Sequence, residues 1–153
     1  MTHTYKIASL NINGIANDPR IRMLEFLRTN DNDIVMLHQV TGPQMDSVHR
    51  YTKLVNIGTE RRGTGILARD ALILTDVRFL PSGKGKAAMY NGTRLLIIYA
   101  RLGAKRKQER EWFYNVEVPY LLPTTESDII IAGVLTACYH MLMLQATRTI
   151  VER

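Results

Sequence analysis

Nine residues near the start, Lys6-Ile7-Ala8-Ser9-Leu10-Asn11-Ile12-Asn13-Gly14, constrain the fold more than any other stretch. Ile7, Leu10 and Ile12 give the apolar text of a strand packed at the centre of a domain. The strand then ends in Asn-x-Asn-Gly, so two amide side chains stand at its mouth. A polar pair at the tip of a buried strand is where α/β proteins tend to place their chemistry. The same residues also make an ordinary turn, and the stretch alone leaves both readings open.

The next two dozen or so residues complete a βαβ unit. Asp18-Pro19 is a helix start, with Asp18 as N-cap and Pro19 in the first turn. Ile21, Met23, Leu24, Phe26 and Leu27 then form an apolar face. Asp33 to Leu37 is a short apolar run, predicted to be a buried strand parallel to the first. It delivers His38-Gln39-Val40-Thr41 beside the first strand's mouth.

The middle of the chain reads as short strands over Tyr51–Ile57, Gly65–Arg69, Ala71–Leu80, Lys86–Tyr90 and Arg94–Ala100. Their separators are turn text, above all Asn91-Gly92, and the set predicts an antiparallel meander. Ala104 to Leu122 has a helical pattern with Trp112, Phe113, Val116, Tyr120 and Leu121 inward, and Pro119 is expected to kink or end it. Ile129 to Leu135 is another buried strand. Ala137 to Arg153 reads as a helical tail through Met141, Leu142, Leu144 and Ile150.

The chain has 153 residues, 46% of them hydrophobic, which is enough for one domain with a sizeable core. Its formal charge of +6 suits a phosphate-bearing partner, as it suits any mildly basic soluble protein. The one cysteine, Cys138, precludes an intrachain disulfide and points to a reducing compartment. The start lacks the apolar core of a signal peptide, and no apolar run is long enough to span a bilayer. The expectation is an intracellular protein, nuclear or cytoplasmic, with no membrane partner; the oligomeric state is left open. Gly83-Lys84-Gly85-Lys86 is glycine-rich and basic but lacks the strand–loop–helix context of a P-loop.

Taken in order, these strand mouths resemble the exonuclease/endonuclease/phosphatase superfamily. More closely, they are similar to the apurinic-type endonuclease domain of non-LTR (LINE-like) retrotransposons. The likeness is carried by Lys6-to-Gly14, by Asp33-to-Thr41 (family text D-I-x-x-L-Q-E-V-T) and by Asn56-to-Arg69. It continues through Pro81-Ser82-Gly83, Ile98-Tyr99-Ala100, Gln108-to-Asn115, and Ala132-Gly133 where the family continues D-F-N-C. The resemblance implies an α/β layered two-sheet sandwich flanked by helices over residues 5–136, incomplete because the C-terminal part is missing. Residues 137–153 would be a divergent tail. It also implies DNA as partner, Mg²⁺ as cofactor, hydrolysis of a phosphodiester to nick target DNA, and a reverse transcriptase domain in the parent element.

Carried over residue by residue, the resemblance makes Asn11 and Tyr99 retained catalytic positions, with Asn11 also near the metal. Gln39 stands where the family has its metal-binding Glu, and Val134 and Thr136 where it has Asp and Asn. Gln39 offers a neutral carbonyl in place of a carboxylate, and Val134 has no oxygen to orient water. Asn13, Arg62, Arg101 and Lys105 are the candidate DNA contacts, with Arg61, Lys84, Lys86, Arg106 and Lys107 as further basic residues. Three readings are open on these residues: a Mg²⁺-dependent endonuclease that is impaired in this copy, a non-catalytic DNA-binding scaffold, and a transposon remnant without function.

Overall fold

The computed structural model describes residues 2–12, 19–57, 63–100, 107–122, 128–135 and 145–151. In chain order the elements are β1 (Thr2–Asn11), α1 (Pro19–Asn30), β2 (Ile34–Val40), α2 (Gly42–Met45), β3 (Tyr51–Ile57) and β4 (Gly63–Arg69). Then come β5 (Thr75–Phe79), β6 (Gly85–Tyr90), β7 (Thr93–Ala100), α3 (Lys107–Trp112), a π-turn (Phe113–Glu117), α4 (Val118–Leu121), β8 (Asp128–Leu135) and β9 (Gln145–Val151).

These strands make two mixed sheets, ordered β3-β4-β2-β1-β9 and β5-β6-β7-β8. The expected βαβ unit is present: β1 and β2 run parallel, with Leu10 opposite Leu37 and Asn11 opposite His38. Because successive strand side chains point to opposite faces, each sheet offers one face to the other and one face outward. Between the sheets lie Ile7, Ile34, Met36, Ile66 and Ala68 from the first, against Ala88, Tyr90, Leu95, Ile97 and Ala132 from the second. On the first sheet's outer face, Leu10, Ile12, Val35, Leu37 and Leu67 meet Met23 and its neighbours on α1. On the second, Leu80, Ala87, Leu96 and Ile98 meet Phe113 and Leu121. The fold is therefore an α/β sandwich of two sheets flanked by helices. No helix among the described residues is long and apolar enough to cross a membrane.

Local chemistry explains most boundaries. Asn91 and Gly92 both have positive φ, which is the backbone of the tight hairpin turn joining β6 to β7. Arg94, on β7 and almost fully buried, pairs with Asp76 and donates from Nη1 to the Asp76 carbonyl at 2.9 Å, holding β5 against the sheet.

Four expectations are corrected. The meander divides between the sheets, β3 and β4 entering the first and β5 to β7 the second. β5 starts at Thr75, because Leu72 and Leu74 turn aside to pack against the inter-sheet core. The helix predicted to Leu122 is broken into three. Pro119 has no N–H for the carbonyl one turn back, and the chain ahead of it widens so that the Val118 N–H reaches the Phe113 carbonyl. Of its five expected inward residues only Phe113 and Leu121 are buried, while Trp112, Val116 and Tyr120 are exposed. Finally, Gln145–Val151 of the expected helical tail is a strand paired antiparallel with β1. Its β-branched Thr147, Thr149, Ile150 and Val151 suit a sheet better than a helix. Residues 137–144 lie outside the described residues.

Candidate active site

The inter-sheet core changes character along its length. Following the alternation, Ile7 is succeeded on its face by Ser9 and Asn11, and Met36 by His38. Ile66 is preceded by Thr64, and Ile97 is succeeded by Tyr99. One end of the sandwich thus turns from aliphatic to polar, and the two sheets meet there through side chains that hydrogen-bond.

Gln39 is the residue that alternation alone misplaces. It follows His38 on β2 and would point to the α1 side with Leu37 and Val35. Its φ of 57° and the register shift between His38 and Val40 form a bulge that re-aims it. The Gln39 Nε2 then donates to the hydroxyl of Tyr99 on the opposite sheet. Holding a non-glycine residue at such a φ costs about 1–3 kcal/mol, and such strain tends to collect at functional sites. Across the bulge stands Gly63, paired with Val40 and Ile57. A Cβ there would fall 1.7 Å from the Asn56 carbonyl oxygen, so only glycine lets β3 approach at this point.

His38 is 2% exposed, and its Nε2 lies 2.8 Å from Ser9 Oγ. Burial lowers its pKa from 6.5 to about 4, so the ring is neutral at physiological pH. Its Nδ1 has no hydrogen-bond partner, nor has Oγ1 of Thr64, its register partner on β4. Among the described residues four buried side-chain atoms are in this state, and two of them sit side by side here. Each such group carries a desolvation penalty of about 1–3 kcal/mol. Lys86 shares the inter-sheet face and is buried, with Nζ 5.8 Å from the centre of the Phe79 ring. Desolvation draws its pKa down from 10.5 to about 8.

Of the residues singled out in the sequence, Asn11, Gln39 and Tyr99 are brought to this mouth. Val134 on β8 is the register partner of Tyr99. Asn13, Arg62, Arg101, Lys105 and Thr136 lie outside the described residues. Ser9 and Thr64 were not signalled, since each matters only through a partner on another strand.

Among the described residues, the donors at the mouth do not fit a Mg²⁺ ion. That cation takes hard oxygen ligands, with one or two carboxylates as anchors. Asn11, Gln39, Ser9, Thr64 and Tyr99 supply amides and hydroxyls, and His38 a neutral imidazole. With the Gln39 Nε2 donating to Tyr99, that side chain has one neutral carbonyl oxygen to offer a cation in place of a carboxylate. Among the described residues no group of three or more His, Cys, Asp or Glu could hold a metal ion. What the arrangement offers is hydrogen bonds to a polar or anionic guest.

No family model matches the sequence, and no curated protein matches it by sequence. Solved structures do match the fold. A humanized D. rerio TDP2 superposes with a TM-score of 0.61 at 19% identity, covering 85% of this chain and 61% of that one. D. rerio TDP2 complexed with a single-strand DNA product gives 0.59 at 18% identity, covering 85% and 60%. A 3′-5′ exonuclease, NExo, from Neisseria meningitidis gives 0.58 at 19%, covering 76% and 51%. The chain therefore spans between half and three-fifths of the length of these neighbours. TDP2 and NExo are members of the exonuclease/endonuclease/phosphatase superfamily, and it is their fold that this chain shares.

Proposed function

We propose that this chain binds DNA at the polar mouth of a nuclease-type sandwich and hydrolyses phosphodiesters weakly or not at all. The observation that carries the reading is the Gln39–Tyr99 contact. Where the resembling endonucleases place a metal-binding carboxylate, this chain places an amide that bonds across the sheets. The ordered motifs from Lys6 to Gly133 support descent from a Mg²⁺-dependent endonuclease of a non-LTR retrotransposon, with residues 5–136 as the unit concerned. In such an element a reverse transcriptase would be the companion domain. Val134 and Thr136 at the family's Asp and Asn positions support impairment, since removing one group that acts in the transition state typically costs ~10²–10³ in rate.

DNA as partner is supported by the formal charge of +6, by Lys84 on the loop that bonds the Tyr99 backbone, and by the neighbour crystallised with a single-strand DNA product. The reading is tested by fluorescence anisotropy of a labelled oligonucleotide in chelator. Binding should survive without divalent metal and weaken about tenfold or more between 50 and 200 mM salt. Binding that appears only with Mg²⁺ would contradict it.

A further inference from the structure

Beside the mouth lies an open groove of about 440 Å³, lined by Lys84, Gln108, Glu109, Trp112, Phe113 and Glu117. Its volume falls among small-ligand sites, which run to about 300–1,000 Å³. It lies on the outer side of the second sheet at the same end of β7 as the mouth, where the Lys84 carbonyl accepts the Tyr99 N–H at 2.7 Å. Phe113 is buried beneath it, whereas Trp112, the chain's one tryptophan, is 61% exposed. An exposed indole on a helix beside a groove can serve as a stacking platform.

The π-turn shapes the rest of the wall. In a regular α-helix Glu117 would lie about 140° around the axis from Trp112. The Val118-to-Phe113 bond widens that turn and brings Glu117 back toward the face that carries Trp112, which is why both line one groove. Two carboxylates against one ammonium make a poor channel for phosphates. They make a good acceptor for the donor edge of a base. Of the four DNA bases only guanine presents two adjacent N–H donors, N1–H and N2–H, that match both oxygens of one carboxylate. Adenine and cytosine set one amino donor beside an acceptor, which a carboxylate repels, and thymine sets its one N–H between two carbonyls.

We infer that this groove is a guanine subsite for a single DNA strand. The base stacks on Trp112, its N1–H and N2–H bond the Glu117 carboxylate, and Lys84 faces the phosphate that leads to the mouth. The inference rests on the DNA-binding reading above but is separable from it.

The test uses the intrinsic fluorescence of Trp112. Titration with dGMP should quench it saturably, about tenfold tighter than dAMP, dCMP or dTMP. In Glu117→Gln, a near-isosteric change at a half-buried residue whose side chain makes no cap bond, dGMP should fall to the level of the other three. A labelled dT20 strand, read by anisotropy, reports DNA binding apart from guanine. If dT20 binds and dGMP fails to quench, the subsite is overturned and the DNA reading stands. If dGMP quenches and Glu117→Gln abolishes its advantage while dT20 fails to bind, the subsite stands and the DNA reading falls. Equal quenching by all four nucleotides, unchanged in Glu117→Gln, overturns the guanine assignment.

Discussion

The two ends of the inter-sheet core are built on the same strands and obey opposite rules. At one end Ile7, Met36, Ile66 and Ile97 close the sandwich with hydrocarbon side chains that need no hydrogen-bond partner. At the other end the same faces carry Ser9, Asn11, His38, Thr64 and Tyr99, where the sheets meet through directional bonds and two buried polar atoms remain unpaired. The backbone geometry is shared, so the difference lies in side-chain type alone, apart from one bulge that adds Gln39. The apolar end supplies stability. The polar end draws on that stability to hold neutral donors and acceptors in place, which is the expected division between scaffold and site.

The comparison breaks most completely where backbone itself is at stake. Gly133 on β8 lies so close to β7 that an added Cβ would stand 2.3 Å from the Ile98 carbonyl oxygen. Gly133→Ala should push β8 off the sheet and destabilise by about 3 kcal/mol or more, read by urea unfolding. A loss below about 1 kcal/mol would show that the second sheet tolerates separation there.

The next effect is specific to the polar end. His38 has a folded pKa of about 4 against about 6.5 unfolded, so the unfolded chain binds the extra proton first as pH falls. Its contribution is fully present above pH 6.5 and is lost as pH drops toward 4, on the order of 3 kcal/mol in all. Denaturation midpoints across that window should fall in the wild type and flatten in His38→Gln. Equal slopes in the two proteins would place the acid sensitivity elsewhere.

Single substitutions on β7 sharpen the contrast further. Ile97→Ala, in the hydrocarbon end, should cost about 2–5 kcal/mol. Tyr99→Phe, two residues along, removes a hydroxyl and leaves the Gln39 amide without that partner, at about 1–2 kcal/mol. The smaller loss should come with the larger change in DNA affinity. The reverse ordering of affinities would argue that the mouth is not where DNA binds.

Much of the scaffold was legible in the sequence because its signals are local. Tyr51–Ile57 appears with its predicted bounds, Asn91-Gly92 makes the turn that its residues demand, and Pro19 opens α1. The site was only partly legible. Asn11 and Tyr99 announced themselves through motif text at strand ends. The direction of Gln39 depends on a bulge facing Gly63, and the His38–Thr64 pairing depends on a strand register that no stretch of sequence states. β9 was missed for a related reason. The spacing of Met141, Leu142, Leu144 and Ile150 fits a helix, but pairing with β1 decides the outcome for Gln145–Val151. The expected burial of Trp112 failed because Phe113, its neighbour about 100° around the helix, takes the inward position.

On the proposed reading, the mouth, whose described residues supply no carboxylate, does not support efficient phosphodiester hydrolysis. Nicking of supercoiled plasmid, with Mg²⁺ and with chelator, tests that most directly when the wild type is compared with Gln39→Glu/Val134→Asp/Thr136→Asn. The folded wild type should give few or no Mg²⁺-dependent nicks, and the variant far more, which chelator abolishes. Mg²⁺-dependent nicking by the wild type as fast as by the variant, and lost in Asn11→Ala, would contradict the account and require a carboxylate from elsewhere in the chain.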